Sequence, residues 1–598
     1  MIRTSVAATV AVLMASATFA QEIAFETGDA SETLRGLLED ASLTLSLDPE
    51  GDLAAQDYVA AARADYQRLL TALYADGHYG GVISVKVNGR EAATIAPLDA
   101  PARVNSVAIT VTPGPRFSFG RTEISPLPEA TALPDGFAVG EPAQAEVIRR
   151  SVSTAITAWR EAGYAKARAG AQNITARHPD TALDVAVTIA PGQRLTFGPL
   201  TIEGNVDVRT ERVRAIAGLP SGEVFDPAEI AAAERRLRDS GAFDSVALKE
   251  ADDIGPNDTL AITALVAEAK PRRIGFGVEL SSVEGLSVSS YWLHRNFFGG
   301  AERLRFDAEI KGIGGETGGI DYGLGASLAI PAVLGPDTDF LISADISRQD
   351  EPDFLLDQIA IEAALTRLIR EDLEVSGGLG LLRAREETDA GVRRFTLLTA
   401  PFTATLERRD EPTDAKSGYF IGLELTPFAS VVGADNGARV FTDARAYRSF
   451  GSDDFVTFAA RTQIGSVFGP SITDAPADFL FFSGGGGTVR GQTFNALGID
   501  TIENGEAVRR GGLSFAGAQL EARVAVRENI GVVGFYDFGY IGESTNPFET
   551  DAFHAGVGFG VRYNTGIGPI RLDIATPATN GDDFGERVEI YIGIGQAF

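Results

Sequence analysis

The sequence predicts a membrane β-barrel of sixteen antiparallel strands preceded by three small α+β modules. Three observations predict it. The first twenty residues read as an export signal. The following stretch repeats a helix-then-strand unit. Everything from Ile274 onward alternates with the period of a strand between glycine-rich turns. At 598 residues the chain is too long for one ordinary domain, and with 44% hydrophobic residues it can fill packed cores.

The export signal comes first. Arg3 gives a short positive start, Val6 to Ala17 is apolar, and Thr18-Phe19-Ala20 is a small-x-small cleavage site, so residues 1–20 are expected to be a signal peptide. No later run reaches the roughly 18 apolar residues that a membrane-spanning helix needs. If the exported chain enters a membrane it must therefore do so as a barrel, because only helices and closed barrels satisfy every backbone group in lipid.

The modules follow. Pro113-Gly114-Pro115-Arg116-Phe117-Ser118-Phe119-Gly120 recurs 78 positions later as Pro191-Gly192-Gln193-Arg194-Leu195-Thr196-Phe197-Gly198. Arg160-Glu161-Ala162-Gly163-Tyr164 is echoed at the same offset by the segment from Arg238 to Phe243, and more weakly by Ala75 to Tyr79. Each unit opens with an amphipathic helix: Val59, Ala62, Tyr66, Leu69 and Leu73; then Ile148, Val152, Ala155, Ile156 and Trp159; then Ile230, Ala233 and Leu237. A glycine ends each helix. Each unit closes on an alternating strand that runs into a proline, at Pro113, Pro191 and Pro271. The expected modules cover residues 21–114, 115–193 and 194–273, leaving 274–598 for the barrel.

The barrel region carries strands expected to begin near Ile274, Arg303, Phe340, Ile359, Val375, Phe395, Tyr419, Val440, Val456, Leu513, Val532, Ala555, Ile570 and Val588, with sixteen alternating segments in all. The two strands that must pair to close it are legible. In the first, Ile274, Phe276, Val278 and Leu280 share a face, with Gly275, Gly277 and Glu279 on the other. In the last, Ile590, Ile592, Ile594 and Phe598 share a face, with Tyr591, Gly593 and Gly595 on the other. An apolar face toward lipid and a small or polar face toward the lumen give this pattern. Gly593 and Gly595 weaken the closing strand, since glycine adds backbone entropy and no packing. Trp292, beside Tyr291, fits an interface girdle.

Composition narrows the function. There is no cysteine, which removes disulfides, thiolate metal sites and thiol nucleophiles, and a formal charge of −30 opposes nucleic-acid binding. The four histidines, His78, His178, His294 and His554, form no HExxH motif, and no Gly-x-Ser-x-Gly elbow is present. No metal, no cofactor and no catalytic residue is expected.

One loop stands out. Between the strands near Val456 and Leu513 lie about 40 residues containing Phe481-Phe482-Ser483-Gly484-Gly485-Gly486-Gly487-Thr488-Val489-Arg490-Gly491-Gln492, far longer than a hairpin connection. On the next two strands, alternation turns Glu521 and Asp537 inward, because a charge aimed into lipid costs up to about 2–4 kcal/mol at the midplane. Arg490 on an inward-folded loop is their natural partner, since a guanidinium bonds two carboxylates at once. Otherwise both acids simply line a wet lumen.

Val489-Arg490-Gly491 after the glycine run resembles the signature loop of the BamA/TamA superfamily. Asn296-Phe297-Phe298-Gly299-Gly300 resembles that family's early-barrel turn, and Tyr536-Asp537-Phe538-Gly539 the strand that meets the loop arginine. The modules look like POTRA domains, and three of them before the barrel resembles the TamA-like members. The family usually has an aromatic directly after Arg-Gly, where this chain has Gln492, with Phe494 two places on. The resemblance implies an outer-membrane barrel with periplasmic POTRA modules that opens at its seam to insert β-barrel or autotransporter clients, with a TamB-like partner held by the modules. A two-partner secretion transporter and a passive porin are the alternatives. The former has two modules and a plug helix, and the latter needs no repeated periplasmic module.

Overall fold

The computed structural model describes residues 22–594, apart from 49–52, 97–98, 283–284, 316–317, 452–453, 504, 528, 550–551, 566–567 and 580–586. The expected signal peptide and the seam residues Gly595 and Phe598 lie outside the described residues. The chain forms two compact units. The first runs to Gly198 and adds Ser221–Glu229 and Asp253–Leu260. The second takes in Pro199–Pro220, Ile230–Asp252 and everything from Ala261.

In the first unit, the opening module pairs strand Glu22–Glu26 in parallel with Ser106–Thr112, which pairs on its other side with Val82–Val87. Helix Ala55–Ala75 buries Val59, Ala62, Leu69 and Leu73 against Val107, Ile109 and Val111. A shorter helix, Glu32–Ala41, was not legible in the periodicity. The chain leaving it is tied down by buried Asp65, which accepts bonds from Ser42 Oγ at 2.8 Å and Leu43 N at 2.7 Å. The second module is a sheet of Ser118–Ser125, Ala182–Ala190 and Arg168–Arg177 under a single helix, Ala145–Glu161. Pro126, Pro128, Pro134 and Pro142 fill the stretch before it, and prolines at that density leave no helix to form.

The repeated octapeptide now has a cause. Phe117 N donates to Gly77 O and Leu195 N to Gly163 O, each at 2.9 Å, so the segment hooks onto the glycine that ends the preceding helix. Gly77 and Gly163 sit at φ +91° and +97°, a conformation that favours glycine. Arg116 Nε and Arg194 Nε reinforce the hook by donating to Asp76 O and Ala162 O. The Tyr79 hydroxyl donates to Ala143 O at 2.8 Å, and burial pushes this phenol up to about 12, so it remains a donor across ordinary pH.

The third sheet orders Thr196–Glu203, Thr259–Glu268 and Phe243–Glu250, with helices Thr210–Ala217 and Pro227–Asp239. In all three modules the closing strand is the central one, which is why it carries the strongest apolar alternation. Within the second unit, Arg236 grips Asp337 with two bonds of 2.6 and 3.1 Å. Arg209 donates from its backbone N–H to Gly299 O and from its guanidinium to Phe298 O, at 2.9 and 2.6 Å. Arg235 pairs with Glu371 at 2.8 Å. The barrel turns around Phe298, Asp337 and Glu371 therefore mark its module end.

The barrel is closed and all antiparallel. The eighth strand is interrupted at Ala400-Pro401 into Gly391–Thr399 and Phe402–Glu407, both pieces pairing with the same two neighbours, so the circuit holds sixteen strands. Proline removes a ladder donor and explains the break. The first strand, Arg272–Ser281, exposes Ile274, Phe276, Val278 and Leu280 outward. It meets the last, Glu589–Ile594, with Leu280 opposite Ile592 and Ser281 opposite Tyr591.

Candidate functional site

The eleventh strand, Val456–Phe468, and the twelfth, Ser514–Arg527, are joined by a connection that folds on its own terms. It holds a one-turn 3-10 helix at Ala477–Phe479 and a small hairpin of Ile499–Glu503 with Glu506–Arg510. Phe479, Leu480 and Phe481 pack with Leu397, Phe428, Phe515 and Ile541 from the barrel wall into one apolar cluster. Arg510 and Arg393 close on the buried carboxylate of Glu386, at 2.7 and 3.1 Å.

Beneath this cap the glycine run carries Arg490 to the inner wall. Its side chain is 1% exposed. Nε and Nη2 donate to the two oxygens of Asp537 at 2.7 and 3.0 Å, and the backbone N–H adds a third bond at 3.2 Å. Nη1 donates to Glu521 at 2.7 Å and reaches Asp573 at 3.3 Å. Arg523 holds the other oxygen of Glu521 at 2.8 Å, and Arg562 pairs with Asp573. Three guanidinium groups face three carboxylates, so the cluster is charge-balanced. The guanidinium of Arg490 also lies over the Phe535 ring, 3.6 Å from its centroid. Buried charges are tolerated only when paired and hydrogen-bonded in this way.

The backbone must come very close for this to happen. Gly491 sits at φ +87°, and a Cβ there would stand 2.7 Å from the backbone of Thr576. A Cβ on Gly556 would meet Arg490 O at 1.8 Å. Gln492, in place of the family's aromatic, donates to Ala555 O at 2.6 Å and lies 3.4 Å from Thr579 Oγ1. Gly491 N donates to the Tyr591 hydroxyl at 3.3 Å, and that hydroxyl in turn donates to Glu589. The loop tip thus reaches the closing strand itself.

Across the seam, Arg571 on the fifteenth strand bonds Glu279 on the first at 2.8 Å. Gly593 lies between them, and a Cβ there would stand 3.1 Å from Arg571 Nε. Ile590 and Ile592 face outward. Ile594 ends the described strand. The structure therefore brings together Arg490, Glu521 and Asp537, and separately the two seam strands. Sequence reasoning did not name Asp573 and Arg562 as members of the cluster. The signal was available for Asp573, which alternates with Ile570, Leu572 and Ile574 as Glu521 does with its neighbours.

His78 Nδ1 lies 2.9 Å from Gly114 O, His178 packs edge-on to Phe117, His294 packs edge-on to Phe297, and His554 Nε2 lies 2.8 Å from Ser483 Oγ.

Comparison with known proteins agrees with this architecture. The Omp85 superfamily domain matches residues 296–598, just over half of the chain, and a POTRA domain, described as a surface antigen variable number repeat, matches 195–269. The outer membrane protein assembly factor BamA of Neorickettsia risticii is 21% identical over 80% of this chain and 65% of its own length. That of Nitratidesulfovibrio vulgaris is 23% identical over 67% of this chain and 51% of its own length. The chain thus spans less than two thirds of these relatives. BamA from Haemophilus ducreyi lacking POTRA domains 1–3 superposes with a TM-score of 0.60 at 15% identity, covering 81% of this chain and 100% of that one. CdiB from Acinetobacter baumannii does so at 0.52 and 12% identity, covering 81% and 90%. These two establish a shared fold. On the superfamily match the chain belongs to the Omp85 superfamily as a member of the BamA/TamA family, its barrel in the outer membrane and its POTRA modules in the periplasm.

Proposed function

We propose that this chain is an outer-membrane protein assembly and translocation factor of the TamA-like kind, inserting β-barrel or autotransporter clients through its own seam without catalysing a reaction. The observation that carries the reading is the build of that seam. Its closing strand includes a glycine, an ion pair from Arg571 to Glu279 spans that glycine, and the lumen loop is fastened to the late strands on one side of the join. Parting the strands exposes a row of unpaired N–H and C=O groups, which an incoming strand satisfies by β-augmentation. No nucleotide is required, because the client's own folding into lipid supplies the free energy. The loop and the apolar cluster beneath the barrel's far mouth argue against a passive pore. The modules are the surface we assign to a TamB-like partner and to unfolded clients in transit.

The test uses the absence of native cysteine. A Leu280→Cys/Ile592→Cys pair places thiols on directly opposed residues. In proteoliposomes the oxidised form is expected to lose client insertion and the reduced form to regain it. Undiminished insertion by the locked barrel removes the proposal.

A further inference from the structure

Four arginines sit where a lipid-facing wall has no obvious use for them. Strand Thr338–Asp350 leaves the module-end turn at Asp337, so its Arg348 end is the extracellular rim. There the strand register lines up Arg348 with Asp357, Asp357 with Arg385, and Arg385 with Arg394 in one row across four strands. The next row toward the bilayer runs Ile346, Ile359, Arg383 and Thr396, and the row below is apolar, with Ile361, Leu381 and Leu398. These residues share the outward face: Ile346, Ile359, Leu381 and Leu398 are exposed, as are Arg383 and Arg394, while Leu382, Ala384, Glu386 and Phe395 alternate with them and are buried.

The charges do not balance. Asp357 is shared weakly by Arg348 and Arg385, at 3.6 and 3.8 Å, and Arg385 takes Glu387 at 2.6 Å. Among the described residues Arg383 and Arg394 have no carboxylate partner. Arg385 and Arg394 stand directly opposite one another, an arrangement that destabilises a sheet unless an anion lies between them. All this occurs on a protein whose net charge is −30. Below the arginines the wall forms a groove of about 390 Å³ floored by Tyr322, Leu324, Ile346 and Ile359.

We infer that this groove binds a lipid of the extracellular leaflet through phosphate on its headgroup, with Arg383, Arg385 and Arg394 gripping the phosphate and an acyl chain lying along Leu324, Ile346 and Ile359. Guanidinium groups fork onto phosphate oxygens, and a basic pocket above an apolar floor matches an anionic amphiphile. The inference goes beyond the assembly function and does not depend on it.

The test is native mass spectrometry of the full detergent-purified chain with added lipid A, a glycolipid bearing two phosphates. Wild type is expected to retain the adduct, and Arg383→Gln/Arg394→Gln to retain it about tenfold less well. Arg448→Gln, which removes one positive charge near the periplasmic rim, is expected to match wild type. The charge-conserving Arg383→Lys/Arg394→Lys should retain more of the adduct than the glutamine pair, because an ammonium still attracts phosphate although it does not fork onto it, and retention no better than that of the glutamine pair counts against a charge-held phosphate. Equal retention by the glutamine variant, or equal binding of chemically dephosphorylated lipid A, overturns the inference. So does displacement of the lipid by millimolar inorganic phosphate alone, which would make the site one for a free ion.

Discussion

Arg490 is the residue on which the lumen depends. It makes five hydrogen bonds to three carboxylates when its backbone N–H is counted with its guanidinium, and all three carboxylates are buried. Removing one partner of a buried ion pair costs about 3–5 kcal/mol, because it strands the other charge. Arg490→Ala is therefore expected to release the loop, read as new protease cleavage between Ser483 and Leu497 in the otherwise folded barrel. Arg490→Lys is expected to fail nearly as badly, since an ammonium cannot engage Asp537 in a fork and Glu521 at the same time. Wild-type protection in the lysine variant would show that charge alone holds the loop. At this scale the sequence was informative wherever polar residues alternate with apolar ones: Glu521, Asp537 and Asp573 are all inward by the same rule. What alternation does not encode is which inward residues meet across the lumen. Arg562 could not be assigned to Asp573 without the stagger of the strands.

Among the elements, the barrel strands and the module helices were legible because each buries one face and so writes its period into the chain. The short elements were not. Strand Glu22–Glu26 and helices Glu32–Ala41 and Thr210–Ala217 are too brief for a period to declare itself, and tertiary pairing decides them. The break in the eighth strand at Pro401 follows from proline, yet the strand resumes because its neighbours continue past it. The joint between third module and barrel is an element-scale device with a measurable worth. Arg236 is mostly shielded and bonds Asp337 bidentately, so Arg236→Ala is expected to cost about 1 kcal/mol and to loosen the turn around Asp337. Hydrogen exchange at Thr338 and Leu368, whose amides close the adjoining turns, reads this directly. Unchanged exchange there would show that Arg209 and Arg235 hold the joint without it.

For the molecule as a whole, the module sheets and the sixteen-strand circuit share one dependence on long-range pairing. The seam joins residues 312 apart, Leu280 to Ile592, and such contacts form last because loop closure must precede them. Refolding the denatured chain into detergent micelles is expected to show module structure first, with protease protection of the lumen loop appearing only together with the heat-resistant, fully closed barrel. Protection that precedes closure would mean that the arginine cluster assembles without the last strands.

The direction of that cluster along the chain carries a further meaning. Each carboxylate that holds Arg490 comes after it, at positions 521, 537 and 573, and the hydroxyl that meets Gly491 comes 100 residues later at Tyr591. A chain cut short before its last two strands keeps Glu521 and Asp537 but lacks Asp573 and Tyr591, so the full set of contacts at the loop tip exists only once the whole barrel has been made.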